Sequence, residues 1–127
     1  MILGVNGRLI EQTVSAADKK KEKEIVDLIK KLGSEEKKKE AAAALVKRGS
    51  SAVPFLEKQR KYLKTEIPKL ANRIIKMQLE QEVMLDKDET YYEKEIAIDA
   101  GRRLLDAMNR QYTAIEGVLK EINSKKK

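Results

Sequence analysis

Any chemistry in this chain has to come from carboxylates, amines, hydroxyls and tyrosines, because its 127 residues include no His and no Cys. That absence removes thiol nucleophiles, disulfides, Cys/His zinc sites and His general bases. Carboxylates are plentiful, but on amphipathic helices they mark the wet face, and a di-metal bundle would want Glu-x-x-His pairs. Asp86-x-Asp88 has the opening spacing of a calcium loop without its Gly or its distal Glu. Gly4-x-x-Gly7 is not followed by the Lys-Ser/Thr of a phosphate loop. Ser and Lys are too common here for any pairing of them to mark a nucleophile. The reading is therefore a non-catalytic protein with no cofactor and no metal.

Two other groups of residues suit recognition. Tyr91 and Tyr92 are adjacent, and each offers area plus a hydroxyl; with Arg102, Arg103, Arg110 and Tyr112 they form the candidate partner-binding set. Lys47, Arg48, Lys58, Arg60, Lys61 and Lys64 form an alternative basic patch suited to a nucleic-acid backbone. Aromatics for base stacking are few. Charge is unevenly placed around a net +7: residues 19–64 carry 15 Lys/Arg against 7 Asp/Glu, residues 80–99 carry 2 against 8, and residues 100–127 carry 7 against 3. An acidic belt between two basic regions suits docking on a protein surface better than a continuous nucleic-acid track.

The elements that position these residues are helices. The chain is rich in Ala, Glu, Lys and Leu, with 6 Gly and 2 Pro, which favours helix almost throughout. Residues 1–14 read as a poorly defined N-terminal arm. Ser15-x-x-Asp18 opens a helix that Gly33 stops, with Ile25, Leu28, Ile29 and Leu32 as its buried stripe. Ser34 caps a second helix, which presents Ala41, Ala44, Leu45 and Arg48 on one face and ends at Gly49. Ser50 or Ser51 caps a third, with Pro54 in its first turn and its end at Leu63. A fourth runs from about Glu66 to Leu85 on Leu70, Ile74, Met77 and Met84, flanked by Ile75 and Leu79. Thr90-x-x-Glu93 is a capping box for a long last helix, Tyr91 to Asn123. Its seam, Ile98, Gly101, Leu105, Met108, Tyr112, Ile115, Leu119 and Ile122, alternates steps of three and four. Ala97, Leu104 and Val118 widen it. That seam packs on the chain's own fourth helix, on a partner, or on a second copy, the last giving a homodimer through the heptad helix.

Leu32-Gly33-Ser34-Glu35-Glu36, then Lys39-Glu40-Ala41-Ala42, Leu45-x-x-Arg48-Gly49 and Ala52-Val53-Pro54-Phe55-Leu56 together resemble a HEAT-type helical repeat. The variety is the Ala-rich short one called phycobilisome-lyase-like. The resemblance covers one clear repeat at about 33–64. Thr65-Glu66-Ile67-Pro68 echoes Ser51-Ala52-Val53-Pro54, and Ala71, Ile74 and Ile75 follow Ala41, Ala44 and Leu45 by 30 residues, which suggests a degenerate second unit. The resemblance implies a helical-repeat fold. HEAT-type repeats can also line nucleic-acid grooves with Lys and Arg.

The expected architecture is one compact all-α domain of about five helices: a HEAT-like region over 15–85, a long heptad helix over 86–123 and a basic tail at 124–127. A repeat array this short leaves an open end to be covered. The expected function is protein–protein interaction, as an adaptor or assembly factor on a larger complex, in preference to a free-standing scaffold. No segment reaches the roughly 18 apolar residues of a membrane helix, so no membrane insertion is expected. The small residues at Val14-Ser15-Ala16-Ala17 are of the kind a signal peptidase accepts, but the preceding stretch has no apolar core. The compartment is read as cytoplasmic by default, or exported if the residues before Ala17 are a leader remnant.

Overall fold

A computed structural model describes residues 19–125, and all regular structure in that span is helical. Four helices follow in order: α1 over residues 19–31, α2 Lys38–Arg48, α3 Val53–Glu82 and α4 Glu89–Lys125, with a short 3-10 turn Gly49–Ser51 between α2 and α3. The N-terminal arm (1–14), the Ser15-x-x-Asp18 cap and the last two residues of the basic tail lie outside the described residues.

The expected third and fourth helices are one. α3 runs 30 residues without interruption through Pro68. Proline inside a helix removes a hydrogen bond and costs about 3 kcal/mol, so something must offset it. Leu56, Leu63, Leu70 and Ile74 are all buried along α3, and their steps of seven, seven and four keep one stripe in phase across the proline. Pro68 itself is on the exposed side, where water can reach the freed Lys64 carbonyl. Continuous burial against α4 overrides the local signal to stop at Leu63.

Helix starts also differ from the expected caps. α2 begins at Lys38, after a turn in which the Lys38 amide donates to the Ser34 carbonyl at 2.9 Å, and no side chain caps it. α3 begins after Ala52, again without a side-chain cap, and Pro54 sits in the first turn as expected. α4 begins at Glu89, because the carboxylate of Asp88 accepts from the Tyr91 amide at 3.2 Å. That is an N-cap two residues ahead of the Thr90 box. Asp88, half of the Asp86-x-Asp88 pair, is thus engaged in capping. At its other end α4 runs through Ser124 and Lys125, two residues past Asn123. The turn between α2 and α3 uses Gly49 at φ 61°, a left-handed conformation that glycine adopts without steric cost.

The core falls into two parts. The larger joins α1 (Ile25, Ile29) and Leu32 just past it, α2 (Ala41, Leu45, Val46), Ala52, the start of α3 (Leu56, Leu63) and the end of α4 (Ile115, Val118, Leu119, Ile122). The smaller has three buried residues, Leu70, Ile74 and Ile98, with Met77, Leu105 and Met108 packed on them. Only α3 and α4 contribute to it. The molecule is therefore a four-helix body from which one antiparallel hairpin continues. α3 and α4, at about 1.5 Å per residue, are about 45 and 55 Å long. The α4 seam is taken up within the chain: Ile98, Ile115, Leu119 and Ile122 are buried and Met108 and Tyr112 pack beside them. Of the flanking residues, Val118 is buried, whereas Ala97 and Leu104 face solvent.

Candidate functional site

The distal hairpin, the last half of α3 and the first half of α4, is where apolar side chains and solvent meet. Exposed large apolar residues concentrate there: Ile75, Leu79, Val83, Leu85, Tyr92, Ile96 and Leu104, with Ile96 70% exposed and Leu85 99%. Helical geometry sorts most of them into two rows. Ile75 and Leu79 on α3, with Val83 at its C-cap just past Glu82, follow at steps of four on the side away from Leu70, Ile74 and Met77. On α4, Tyr92 and Ile96 share a row with Asp99 and Arg103, away from Ile98. A two-helix hairpin buries only its inner stripes, so apolar residues at the backs of both helices have no partner among the described residues.

Between the helices the hairpin is held by a close approach and by charge. The Ile74 side chain occupies the notch left by Gly101: a Cβ there would lie 3.0 Å from Ile74 Cγ1 and 3.4 Å from Cδ1. Lys94 of α4 donates to the Glu80 carboxylate of α3. The Lys94 hydrogen bond and charge, with a smaller contribution from Lys76, hold the Glu80 carboxyl below the usual glutamate range against a weak opposing effect of desolvation. The side-chain nitrogen of Gln81 is buried near the tip with no acceptor among the described residues. An unsatisfied donor of this kind costs about 1–3 kcal/mol.

The candidate partner-binding residues separate into two places. Tyr91 and Tyr92 are at the hairpin corner, with ring centroids 5.4 Å apart in an edge-to-face arrangement. The Lys87 ammonium stands 5.8 Å from the Tyr91 ring centre, within cation–π range. Tyr91 is half-buried and Tyr92 exposed. Arg102 and Arg103 are exposed further along α4, and Arg103 pairs with Asp99 at 3.0 Å. Arg110 and Tyr112 belong to the body instead. Arg110 donates to the Gly33 carbonyl at 2.7 Å and approaches Glu35 at 3.6 Å. Tyr112 packs on the main core. Beside them, Gln111 donates to the Ile29 carbonyl at 2.8 Å and accepts from Gln59 at 3.1 Å. Side chains of α4 thereby bind carbonyls at and just past the end of α1, the Ile29 carbonyl also accepting from the Leu32 amide at 3.1 Å, and Arg110 is engaged in holding the α1–α2 connection.

The basic patch is also divided. Lys47 and Arg48 end α2, and Arg48 is paired with Glu24 of α1 at 2.8 Å. Arg60, Lys61 and Lys64 line one depression on the body together with Tyr112, but Glu57 and Glu116 line it too. Lys58 lines a different groove, with Val26, Ile29, Phe55 and Tyr62 but also Glu22, Lys30, Gln59 and Gln111. The six cations therefore do not form one continuous track.

The feature that sequence reasoning missed is the α3 row. Ile75 and Leu79 read as flanks of an inner stripe, and Val83 was not singled out. Their even spacing of four was the available signal. No helix among the described residues is long and apolar enough to cross a membrane. Comparison with family models, with curated proteins and with solved structures returns no match.

Proposed function

We propose that this protein is a non-catalytic interaction module, an adaptor or assembly factor that docks on a larger protein complex through the outer row of α4. One observation carries the reading: Tyr92 and Ile96 are 51% and 70% exposed on a hairpin that continues beyond the four-helix body. Aromatic and aliphatic anchors at the centre of a patch supply most of the energy of typical interfaces. The acidic surroundings, Glu89, Glu93, Glu95 and Asp99, orient the approach of a basic partner surface. The body acts as a rigid mount. Its α2, the Gly49 turn and the first half of α3 are read as one HEAT-like unit. Support comes from the positive φ at Gly49 and from Ala41 packed beside Leu45 on the inner face of α2.

The test is site-specific photo-crosslinking in the native source. A photoreactive residue at position 96 is expected to capture one protein other than this chain, and one at exposed Glu116 on the body is not. Ile96→Glu in a competing copy is expected to lose the ability to displace that capture. Equal labelling from positions 96 and 116, or capture at 96 of nothing but this chain, refutes the proposal.

A further inference from the structure

The α3 row calls for its own occupant, because it lies on the other helix from the row of Tyr92 and Ile96. Its residues are spaced evenly about a centre. Ile75 and Val83 each stand four positions from Leu79, and all three are exposed, at 52%, 77% and 58% respectively. A row with that symmetry is complementary to itself. Rotation by a half-turn about an axis beside Leu79 sets Leu79 against Leu79, and Ile75 against the C-cap residue Val83, in two antiparallel copies of the α3 end. This is the isologous contact by which most homodimers form. Ridges built on steps of four interlock with one another at about 50°, so the contact is a crossing centred on one turn and does not need the bodies to meet.

Charge agrees with the same rotation. Lys76 and Glu80 flank the row on one side, and a half-turn of this kind keeps each residue on its own side. Each Lys76 is then carried alongside Glu80 of the second copy. Lys76 already lowers the titration of Glu80 within its own chain, and in the pair each carboxylate gains a further cation. A parallel pairing would instead lay the two acidic tips, 2 Lys/Arg against 8 Asp/Glu over residues 80–99, side by side. The α4 row lacks this self-complementarity, because after Tyr92 and Ile96 it passes into the Asp99–Arg103 ion pair.

We propose that the outer row of α3 is occupied by a second copy of this chain, crossing antiparallel with Leu79 at the two-fold axis. Each copy contributes three side chains that are more than half exposed, so the contact is smaller than the roughly 1,200–2,000 Å² of stable interfaces. The dimer is therefore weak and reversible. The α4 row stays open in it.

Sedimentation equilibrium of the full chain across a concentration series tests this. A reversible monomer–dimer equilibrium is expected. Leu79→Glu should weaken it at least about tenfold by placing two carboxylates together at the axis, with helical circular dichroism unchanged because position 79 is exposed. Lys76→Glu should weaken it less. The chain has no cysteine of its own, so orientation can be read by oxidation. Leu79→Cys should form a disulfide-linked dimer alone, whereas Ile75→Cys and Val83→Cys should form one only when mixed. A chain that stays monomeric to millimolar concentration, a dimer that survives Leu79→Glu, or self-linking of Ile75→Cys in preference to the mixed pair overturns the proposal. None of these outcomes bears on crosslinking from position 96.

Discussion

Ile74→Ala tests whether the hairpin and the body are energetically separate. Ile74 is 4% exposed and is one of the three buried residues of the distal core. Truncation removes three carbons, worth about 2.4 kcal/mol at about 0.8 kcal/mol each. The gap should close poorly, because the facing surface is the α4 backbone at Gly101, which already stands within contact of the Ile74 side chain. A residual cavity raises the cost to about 3 kcal/mol. At about 1.4 kcal/mol per factor of ten, that is roughly a hundredfold in the opening equilibrium of whatever unit contains Ile74. Hydrogen exchange by mass spectrometry reads that unit directly. Peptides from residues 70–82 and 89–105 should exchange about a hundredfold faster. Peptides from 25–32, 41–48 and 115–122 should keep their wild-type protection, since none of their buried residues belongs to the distal cluster. Equal acceleration in both sets would mean that α3 and α4 unfold only with the body. It would refute the division into two cores.

Arg110→Ala should destabilise the body by about 1–3 kcal/mol, because the Gly33 carbonyl loses a charge-assisted bond; chemical denaturation should show it, with Arg110→Lys intermediate. Gly117→Ala should stabilise by up to about 1 kcal/mol, since a Cβ there meets nothing within 4 Å and alanine is the better helix former; Gly101→Ala should stabilise less, or destabilise, through the Ile74 contact. Pro68→Ala should raise the melting temperature by restoring the amide that α3 lacks, with a gain of up to about 3 kcal/mol. The Glu80–Lys94 pair sets a pH dependence. Because the folded carboxyl titrates below its ordinary value, its contribution is complete above that ordinary value and is lost as the pH falls through the folded one. Wild type should therefore lose hairpin protection on acidification through that window, and Glu80→Gln should lack this component.

Much of the fold was legible in advance because helix formation is local. The punctuation at Gly33 and Gly49 and the phase of Ile25, Ile29 and Leu32 follow from properties of neighbouring residues. So does the seam on α4, where Ile98, Ile115, Leu119 and Ile122 are buried as their spacing required. Cap positions were less legible. Ser34, Ser50, Ser51 and Thr90 are all good cap residues, and among the described helix starts only α4 has a side-chain cap, from Asp88. Where several caps compete within a turn, packing of the helix decides among them at a cost of about 1 kcal/mol. The candidate site was half legible: the tyrosine corner and its acidic setting could be read, whereas the α3 row could not be told from a widened inner stripe. Arg110 shows the converse, since a lone exposed-looking cation on a helix gives no sign that a carbonyl from 77 residues away will meet it.

The sequence by itself determined that the chain is all-helical, that it lacks the side chains for thiol or imidazole chemistry, and that its charge is segregated into basic, acidic and basic regions. Composition and 3.6-residue periodicity suffice for these, as they depend on no contact beyond a turn or two. Only the tertiary structure decided that Pro68 would be carried inside a single 30-residue helix, because the offsetting burial comes from α4. It also decided that α1 and α2 cover just one end of the α3–α4 pair. Whether Ile75, Leu79, Tyr92 and Ile96 face a core or face water depends on which helix stands beside them, and no local pattern carries that information.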